Sequence, residues 1–293
     1  MKVIRGMNHH YFIRLIVQIS AVFFTFSILL IPVRLAGQTT PASVRRFREV
    51  ARYDAAEAVQ GVAVDARYFY AVANRAIGKY DKATGKRVAG WSQPEDGSLT
   101  HLDSGVIIDH LLYCAHSNYP WEPMTSSVEI WSPELPEHTG TYSFGIEWGS
   151  FTWVDRFAGE WWGVFANYNQ VMGRSRQAYG NSYRTSLVKF DDRWRRLESW
   201  VFPDSVVRRI LPMSISGGSW GPDSLLYCTG HDRREIYVLR IPDGGSTLQL
   251  VEIVPVPVPG QGIAWDRSAP GVLYGIDRSR RQVVVMELRT GSR

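Results

Sequence analysis

Short apolar runs recur along this chain in a regular order, each bounded by Gly, Asp, Asn or Pro. Five of them end in an aspartate: GVAVD (61–65), GVIID (105–109), FTWVD (151–155), SWGPD (219–223) and GIAWD (262–266). A second run follows each after a turn: YFYAVAN (68–74), LLYCAH (111–116), WWGVFAN (161–167), LLYCTGH (225–231) and VLYGID (272–277). A third comes next: IGKYD (77–81), SVEIW (127–131), SLVKF (186–190), EIYVL (235–239) and QVVVM (282–286). Such runs are typical of β-strands, so the sequence predicts five groups of consecutive strands.

A fourth run completes four of the five groups: RVAGW (87–91), GTYSF (140–144), LESWV (197–201) and LVEIV (250–254). The fifth group ends before a fourth run, whereas RRFREVARYD (45–54) precedes the first group and belongs to none. Four-stranded sheets repeated around an axis form a β-propeller. The sequence therefore predicts an all-β, five-bladed β-propeller, in which the N-terminal strand closes the last blade by pairing Arg46–Tyr53 with Gln282–Met286.

The aspartates that end the first strands are spaced 44, 46, 68 and 43 residues apart (Asp65, Asp109, Asp155, Asp223 and Asp266). Blades of roughly 40–50 residues produce such intervals, with one insertion in the third. A six-bladed ring, with an extra unit inside the third repeat, is the alternative. We interpret the five aspartates as turn residues, because Asp accepts hydrogen bonds from the backbone two residues further on. No helical periodicity appears after residue 37.

Other repeated residues are also explained by packing. Cys114 and Cys228 occupy equivalent strand positions in blades that are not neighbours. A disulfide needs Cα atoms within about 7 Å, so we predict two free, buried thiols. The tyrosines that recur in the second strands are predicted to pack between blades: Tyr70, Tyr113, Tyr227 and Tyr274.

The first 37 residues differ in kind from the rest. Lys2, Arg5 and Arg14 precede an apolar run of 19 residues, Leu15 to Val33, and small residues follow it. This pattern predicts a signal peptide or, because about 20 apolar residues can span a bilayer, an N-terminal membrane anchor. Residues 38–44 are then a linker and residues 45–293 an extracytoplasmic propeller, periplasmic or secreted, with anchoring to the inner membrane as the alternative.

Charge excludes one class of partner. The leader carries four basic residues and no acidic ones, so the remainder has 33 − 4 = 29 basic groups against 28 acidic groups. A nucleic-acid-binding protein needs a concentrated basic face, and none is indicated here. We predict a monomer that contacts a membrane only through an uncleaved leader.

Several phrases of the sequence resemble those of known propellers. KYDKATGK (79–86), SSVEIW (126–131) and GQGIAWD (260–266) resemble secreted bacterial propellers related to the NHL and quinoprotein-like groups. The whole of residues 45–293 resembles an uncharacterised bacterial family that is often labelled cycloisomerase, after lactonising propeller enzymes. The resemblance implies an isomerase-, lactonase- or hydrolase-like activity, although blade motifs specify architecture rather than chemistry.

Propeller topology predicts where chemistry lies. Because successive strands alternate in direction, the starts of the first strands and the ends of the second strands meet on one face, at the central channel. The longest insertions also lie in loops on this face, at 117–126 and 168–185. Long loops on a rigid scaffold often carry function, so we predict a ligand site built from this set: Gln60, Asn74, Ser117, Asn118, Asn167, Tyr168, Asp232, Gln261 and Asp277.

Three histidines on the same face are the candidate catalytic residues: His101, His116 and His231. Imidazole suits acid–base catalysis and also binds divalent cations, so a divalent metal at these histidines is a second possibility. No P-loop, Rossmann glycines or G-x-S-x-G motif occurs in the sequence.

These patterns leave two functional hypotheses. The first is an exported protein that binds or converts a small polar molecule, sugar- or lactone-like, with Trp121, Trp148 and Tyr168 as a stacking surface. The second is a non-catalytic module that binds a protein or glycan through its loops. A cavity at the channel favours the first, whereas a filled channel beneath an exposed apolar patch favours the second.

Overall fold

A computed structural model of the protein describes residues 44–132, 134, 137–171 and 180–291. The predicted leader (1–37) and residues 38–43 of the predicted linker lie outside the described residues. The strands, in chain order, are β1 (Val44–Asp54), β2 (Gly61–Val64), β3 (Tyr68–Ala73), β4 (Ala76–Asp81), β5 (Arg87–Ser92), β6 (His101–Ile108), β7 (Leu111–Ser117), β8 (Ser126–Trp131), β9 (His138–Gly145), β10 (Ser150–Phe157), β11 (Glu160–Ala166), β12 (Ser186–Phe190), β13 (Arg196–Val201), β14 (Gly217–Trp220), β15 (Leu226–Thr229), β16 (Glu235–Arg240), β17 (Gln249–Pro255), β18 (Ala264–Trp265), β19 (Val272–Asp277) and β20 (Gln282–Gly291).

The strands form five antiparallel, four-stranded sheets: β2–β5, β6–β9, β10–β13, β14–β17, and β18–β20 with β1 at the outer edge. The first strands of consecutive sheets, β2, β6, β10, β14 and β18, are neighbours, and β18 returns to contact β2. This closed ring is a five-bladed β-propeller, which confirms the predicted fold. The insertion in the third repeat is not a sixth blade, because it forms the β11–β12 connection and the segment that leads to β14.

The N-terminal strand closes the ring as predicted. β1 pairs antiparallel with β20 from Val44 opposite Gly291 to Asp54 opposite Gln282, with one register shift near Val50. Phe47 anchors this strand, because its buried ring lies 5.9 Å from the ring of Trp265 and 6.4 Å from that of Tyr227. The fifth blade thus obtains its fourth strand from the other end of the chain.

Two short helical segments depart from the all-strand prediction. Helix α1 (Asp204–Ile210) connects the third and fourth blades, and a 3₁₀ turn (Ser182–Arg184) precedes β12. α1 buries Val206, Val207 and Ile210 against the interface of these blades. Two helical turns are too short to give a clear periodic pattern, which explains why the sequence did not predict them. Neither segment is long and apolar enough to cross a membrane, and the described residues contain no other helix.

The hydrophobic core is divided among the interfaces between blades. Tyr70 packs with Leu112 and Trp131 between the first and second blades. Tyr227 packs at the fourth–fifth interface and Tyr274 at the fifth–first. The predicted role of the tyrosines is therefore confirmed.

Both cysteines are free and fully buried, as predicted. Cys114 lies in the cluster between the first and second blades, and Cys228 in the cluster between the third and fourth.

Asp65, Asp223 and Asp266 are turn residues as predicted. The prediction is wrong for Asp155, which lies within β10 and accepts hydrogen bonds from Ser219 Oγ and the Trp220 N–H of the fourth blade. Asp65 accepts hydrogen bonds from the backbone N–H groups of Arg67 and Tyr68 and from the Tyr70 hydroxyl. Asp223 repeats this arrangement with the Leu225 N–H and the Tyr227 hydroxyl. These carboxylates lie on the face where the first strands end, which we call the lower face.

The opposite face, where the first strands begin and the second strands end, is the upper face. Just inside it the inner strands approach closely at the axis, because a Cβ atom added to Gly61 would lie 2.7 Å from the Ser104 Cα. A Cβ on Gly262 would likewise lie 2.6 Å from the Gly61 Cα. Only glycine permits this approach, which packs backbone against backbone near the axis.

Candidate functional site

A polar cavity of about 380 Å³ lies on the upper face at the axis. All five blades contribute to its wall: Gln60, Asn74, Thr100, His101, Asp103, Tyr119, Pro120, Thr152, Tyr168, Met213, Ser216, His231, Gln261 and Arg278. Its volume is within the range of cavities that bind small molecules. The central channel therefore opens on the upper face in a cavity that is large enough to hold a small molecule.

Six predicted site residues line this cavity: Gln60, Asn74, His101, Tyr168, His231 and Gln261. Gln60 donates from Nε2 to the Asn74 Oδ1 at 2.5 Å, so the two amides of the first blade form a pair. Gln261 has a positive φ of 67°, which is unusual outside glycine, and its backbone O accepts a hydrogen bond from Thr229 Oγ1 at 2.5 Å.

The other six predicted residues lie around the cavity rather than on its wall. His116 is buried behind Thr100, whose backbone N–H donates to His116 Nε2 at 3.3 Å. Its Nδ1 contacts Ser127 Oγ at 2.9 Å, and Ser127 Oγ donates to the buried Glu129 at 2.5 Å. His116 is therefore part of a hydrogen-bonded network inside the second blade.

The remaining residues hold loops and turns. Ser117 Oγ contacts Ser150 Oγ at 2.8 Å, and Asn118 links both ends of the β7–β8 loop by bonding Pro123 O and Thr125 N. Asn167 donates to Trp148 O, and Asp277 accepts from Ser279 Oγ in the β19–β20 turn. Asp232, next to His231, is mostly exposed.

Two β-bulges direct side chains to the cavity. The register of β6 against β7 shifts between Leu102 and Gly105, and Asp103 lies in this shift. The register of β10 against β11 shifts between Phe151 and Trp153, and Thr152 is the extra residue. Asp103 and Thr152 both line the cavity. Bulges commonly re-aim side chains beside functional sites.

His101 and Asp103 form a close pair on the cavity wall, with Nε2 and Oδ2 3.5 Å apart. Burial, together with the nearby His116, Arg278 and His231, lowers the pKa of His101 to about 4. Burial raises the pKa of Asp103 well above its usual value. Both shifts disfavour charge, so burial favours a neutral imidazole on His101 and a protonated carboxyl group on Asp103.

Arg278 reaches the cavity from the turn after β19. Its Nη1 donates to His231 Nε2 at 2.8 Å, and His231 Nδ1 lies 2.5 Å from the Asp232 Oδ1. Because Nε2 accepts, the proton of the neutral imidazole is on Nδ1, where it bonds the carboxylate. This chain of hydrogen bonds holds the guanidinium group at the cavity.

Aromatic rings form another part of the wall. Tyr119 lies with its ring centroid 5.0 Å from that of His101 and 5.4 Å from that of Tyr168. Burial raises the pKa of both tyrosines, so their hydroxyl groups stay protonated. Of the predicted stacking residues, Tyr168 lines the cavity, whereas Trp148 lines a separate pocket beside Arg196. Trp121 is 43% exposed.

Among the described residues, no three His, Cys, Asp or Glu side chains are grouped so as to hold a metal ion. His101 and His231 share the cavity with a single carboxyl group, Asp103, while His116 is engaged inside its blade. The described donor set therefore does not favour the predicted divalent metal.

The predicted site did not include Asp103, Arg278 and Tyr119, which all line the cavity. Asp103 stands two positions after His101 in the same strand. Because side chains alternate along a strand, this spacing was a signal that could have found it. Arg278 directly follows Asp277, the strand end that was predicted. Nothing in the sequence indicated that Tyr119 turns inwards, because loop geometry has no periodic pattern.

No protein-family model and no curated protein matches the chain. Solved structures resemble it in fold. The PQQ-bound aldose sugar dehydrogenase from Streptomyces coelicolor is similar with a TM-score of 0.56 and 10% identity, over 85% of this chain and 100% of that chain. A luciferin-regenerating enzyme has a TM-score of 0.46 and 11% identity, over 84% and 95%. At 10% identity the likeness to the aldose sugar dehydrogenase shows a shared fold alone, and the resemblance to NHL and cycloisomerase-labelled propellers stays a prediction.

Proposed function

We propose that this protein binds a small, hydroxyl-rich molecule, sugar- or lactone-like, in the upper-face cavity and converts it by proton transfer. The observation that carries this proposal is the close pair of the partly buried His101 and the buried Asp103 on the wall of the cavity. Two groups that are both neutral by burial form a proton acceptor and a proton donor side by side. General acid–base catalysis requires such a pair within reach of the ligand.

The direction of proton transfer follows from the electrostatics. His101, with a pKa lowered to about 4 by burial, is unprotonated at neutral pH and can accept a proton. Asp103, with a raised pKa, can donate its proton to a ligand oxygen. A carbonyl or ring oxygen beside Asp103 and a C–H or O–H group beside His101 would suit isomerase- or lactonase-like chemistry.

The rest of the wall suits a hydroxylated ligand. Gln60, Asn74 and Ser216 offer amide and hydroxyl groups that donate and accept hydrogen bonds. Tyr119 and Tyr168 provide ring faces against which the C–H side of a sugar or lactone ring can pack. Polar groups around an aromatic wall give orientation and specificity in small-molecule sites.

A non-catalytic interaction module is the second candidate, and one feature favours it. Four large apolar side chains in upper-face loops are exposed by between 43% and 56%: Trp121, Ile146, Val171 and Tyr183. Such residues mark contact surfaces when they are contiguous. The open cavity beneath them supports the small-molecule proposal instead, because a pure docking module does not need one.

We also propose that the propeller works outside the cytoplasm. The support is the leader, in which basic residues precede the 19-residue apolar run and small residues follow it. N-terminal sequencing of the protein purified from fractionated cells tests this proposal. A mature chain that begins near residue 38 supports cleavage, and an intact leader in the membrane fraction supports anchoring. An intact leader in the cytoplasmic fraction would contradict both.

The catalytic proposal is tested with a panel of aldonolactones, aldoses and ketoses followed by NMR in D₂O. We expect consumption of at least one compound, or exchange of one of its C–H protons, by the wild type. Asp103→Asn and His101→Gln should each reduce this rate by about 10²–10⁴-fold, the range of a general acid or base. Asp96→Asn, at an exposed loop residue, is the matched control and should keep full activity. Equal activity in all variants would refute the assignment.

A further inference from the structure

Arg278 is partly buried and has no acidic partner among the described residues. Arg52, Arg156 and Arg209, which are also partly buried, each form an ion pair with a carboxylate. Arg278 forms none with any described residue, although it lines the central cavity. A cation beside a cavity attracts a counter-charge, and here the protein itself supplies none in direct contact.

The geometry leaves most of the guanidinium group available. Among the described residues its one hydrogen bond joins Nη1 to His231 Nε2 at 2.8 Å. A guanidinium group has five N–H donors in a planar fork. Since the one bond of Arg278 uses Nη1, the donors on its other nitrogens have no protein acceptor among the described residues. The fork matches the two oxygens of a carboxylate, which accept two parallel hydrogen bonds.

His231 and Asp232 fix the orientation of this fork. His231 Nδ1 lies 2.5 Å from Asp232 Oδ1, so its Nε2 lone pair is directed at Arg278. Asp232 is 67% exposed at its side chain, so water screens its negative charge from the cavity. The exposed carboxylate thus holds the imidazole in place without neutralising Arg278.

The other titratable groups of the wall do not cancel the charge either. Burial favours the protonated, neutral form of Asp103 and the neutral form of His101. With the phenols of Tyr119 and Tyr168 also protonated, Arg278 leaves the empty cavity with a net positive charge. A neutral ligand would leave that charge uncompensated, whereas an anionic ligand would pair with it.

We infer that the ligand of this cavity carries a carboxylate, which Arg278 binds, so that the substrate class is a polyhydroxy acid or the lactone of a polyhydroxy diacid, which keeps one free carboxylate. This inference rests on the proposed function and narrows it. The carboxylate would lie at the fifth blade, beside Arg278. The hydroxylated carbon chain would then extend across the cavity towards His101 and Asp103 in the second blade.

Two matched ligand pairs test the charge requirement directly. Gluconate and sorbitol differ only in a carboxylate against a CH₂OH group at one end, and galacturonate and galactose differ in the same way. Calorimetric titration at low salt should show binding of at least one acid, with its neutral partner at least 10-fold weaker. Arg278→Met, which keeps the length of the side chain and removes the charge, should abolish this preference.

The control variant is Arg280→Met, in the same turn. Arg280 is 69% exposed at its side chain, does not line the cavity and lies 3.9 Å from Asp277. It should keep the preference for the acid, and thermal unfolding of both variants verifies that they fold. Equal binding of acid and neutral ligands by the wild type, or an unchanged preference in folded Arg278→Met, overturns this inference and leaves the proposed function standing. Failure of all four ligands and of the whole lactone panel overturns both.

Discussion

His101 Nε2 and Asp103 Oδ2 lie 3.5 Å apart on a single inner strand, β6, at the point where its register against β7 shifts. Both groups therefore belong to the sheet rather than to a flexible loop. Sites built on sheets hold their geometry better than sites built on loops. The upper-face loops contribute the aromatic wall through Tyr119, while the candidate acid–base pair is fixed by the blade itself.

Asp103→Asn should stabilise the fold at neutral pH even though it removes the candidate acid. The unfolded pKa of Asp is about 3.9, and burial raises the folded pKa of Asp103. Its contribution to stability is therefore complete below about pH 3.9 and is lost as the pH rises towards the folded pKa. Asn does not titrate, so its advantage should grow from pH 4 to pH 8, to roughly 1–2 kcal/mol or a few degrees in Tm. Thermal unfolding of both proteins across this range measures it, and an advantage that shrinks with rising pH would contradict the burial argument.

His101 should titrate with a midpoint at about 4 in the folded protein, because burial disfavours the imidazolium. The unfolded pKa is about 6.5, so the contribution of His101 to stability is present above that value and is lost as the pH falls towards 4. Imidazole resonances in an NMR titration give the midpoint, and His101→Gln assigns the signal. A midpoint at or above 6.5 would show that the ring is solvated or paired with an ionised Asp103.

Phe47→Ala should weaken closure of the ring. Removing the buried ring between Tyr227 and Trp265 is expected to lower the free energy of unfolding by about 3–5 kcal/mol, as for other buried aromatic residues. Val50→Ala is the control on the same strand, because Val50 is 46% exposed and should change stability by less than about 0.5 kcal/mol. Chemical denaturation compares the two, and deletion of residues 38–54 should be more destabilising still. Equal effects of Phe47→Ala and Val50→Ala would mean that β1 contributes little.

Both cysteines should be free but unreactive in the native state. Each is fully buried, and burial raises the thiol pKa of both, so little thiolate is available. Under native conditions a thiol reagent should label neither cysteine within minutes. In denaturant without reductant, the same reagent should label two thiols per chain. A monomer with no free thiols in denaturant would require Cys114 and Cys228 to meet, which their separate clusters forbid.

The fold was predictable because the blades repeat. Each strand carries its own apolar run and turn, and the spare strand at 45–54 matches the missing strand of the last blade. Helix α1 has no counterpart in the other blades, so comparison of repeats could not reveal it.

The site was only partly predictable. Equivalence between blades located strand ends such as Asn74 and Gln261 at the cavity, since every blade places these positions on the upper face. The same equivalence between blades also selected His116, which does not line the cavity. Its imidazole contacts Ser127, which donates to Glu129, and the comparison of blades could not reveal this network. Asp103 lies in a bulge of β6 rather than at a strand end, so equivalence between blades did not select it.

The closing strand also determines how the propeller can be attached to a surface. β1 runs antiparallel to β20, and β20 begins at the upper face just after Arg278, so Val44 and Gly291 lie side by side at the lower face. A linker joined ahead of Val44 reaches the propeller from the side away from its cavity. Protein immobilised on a sensor chip through this linker would expose the upper-face cavity to the flowing solution. Coupling through the upper-face loops would obstruct that cavity.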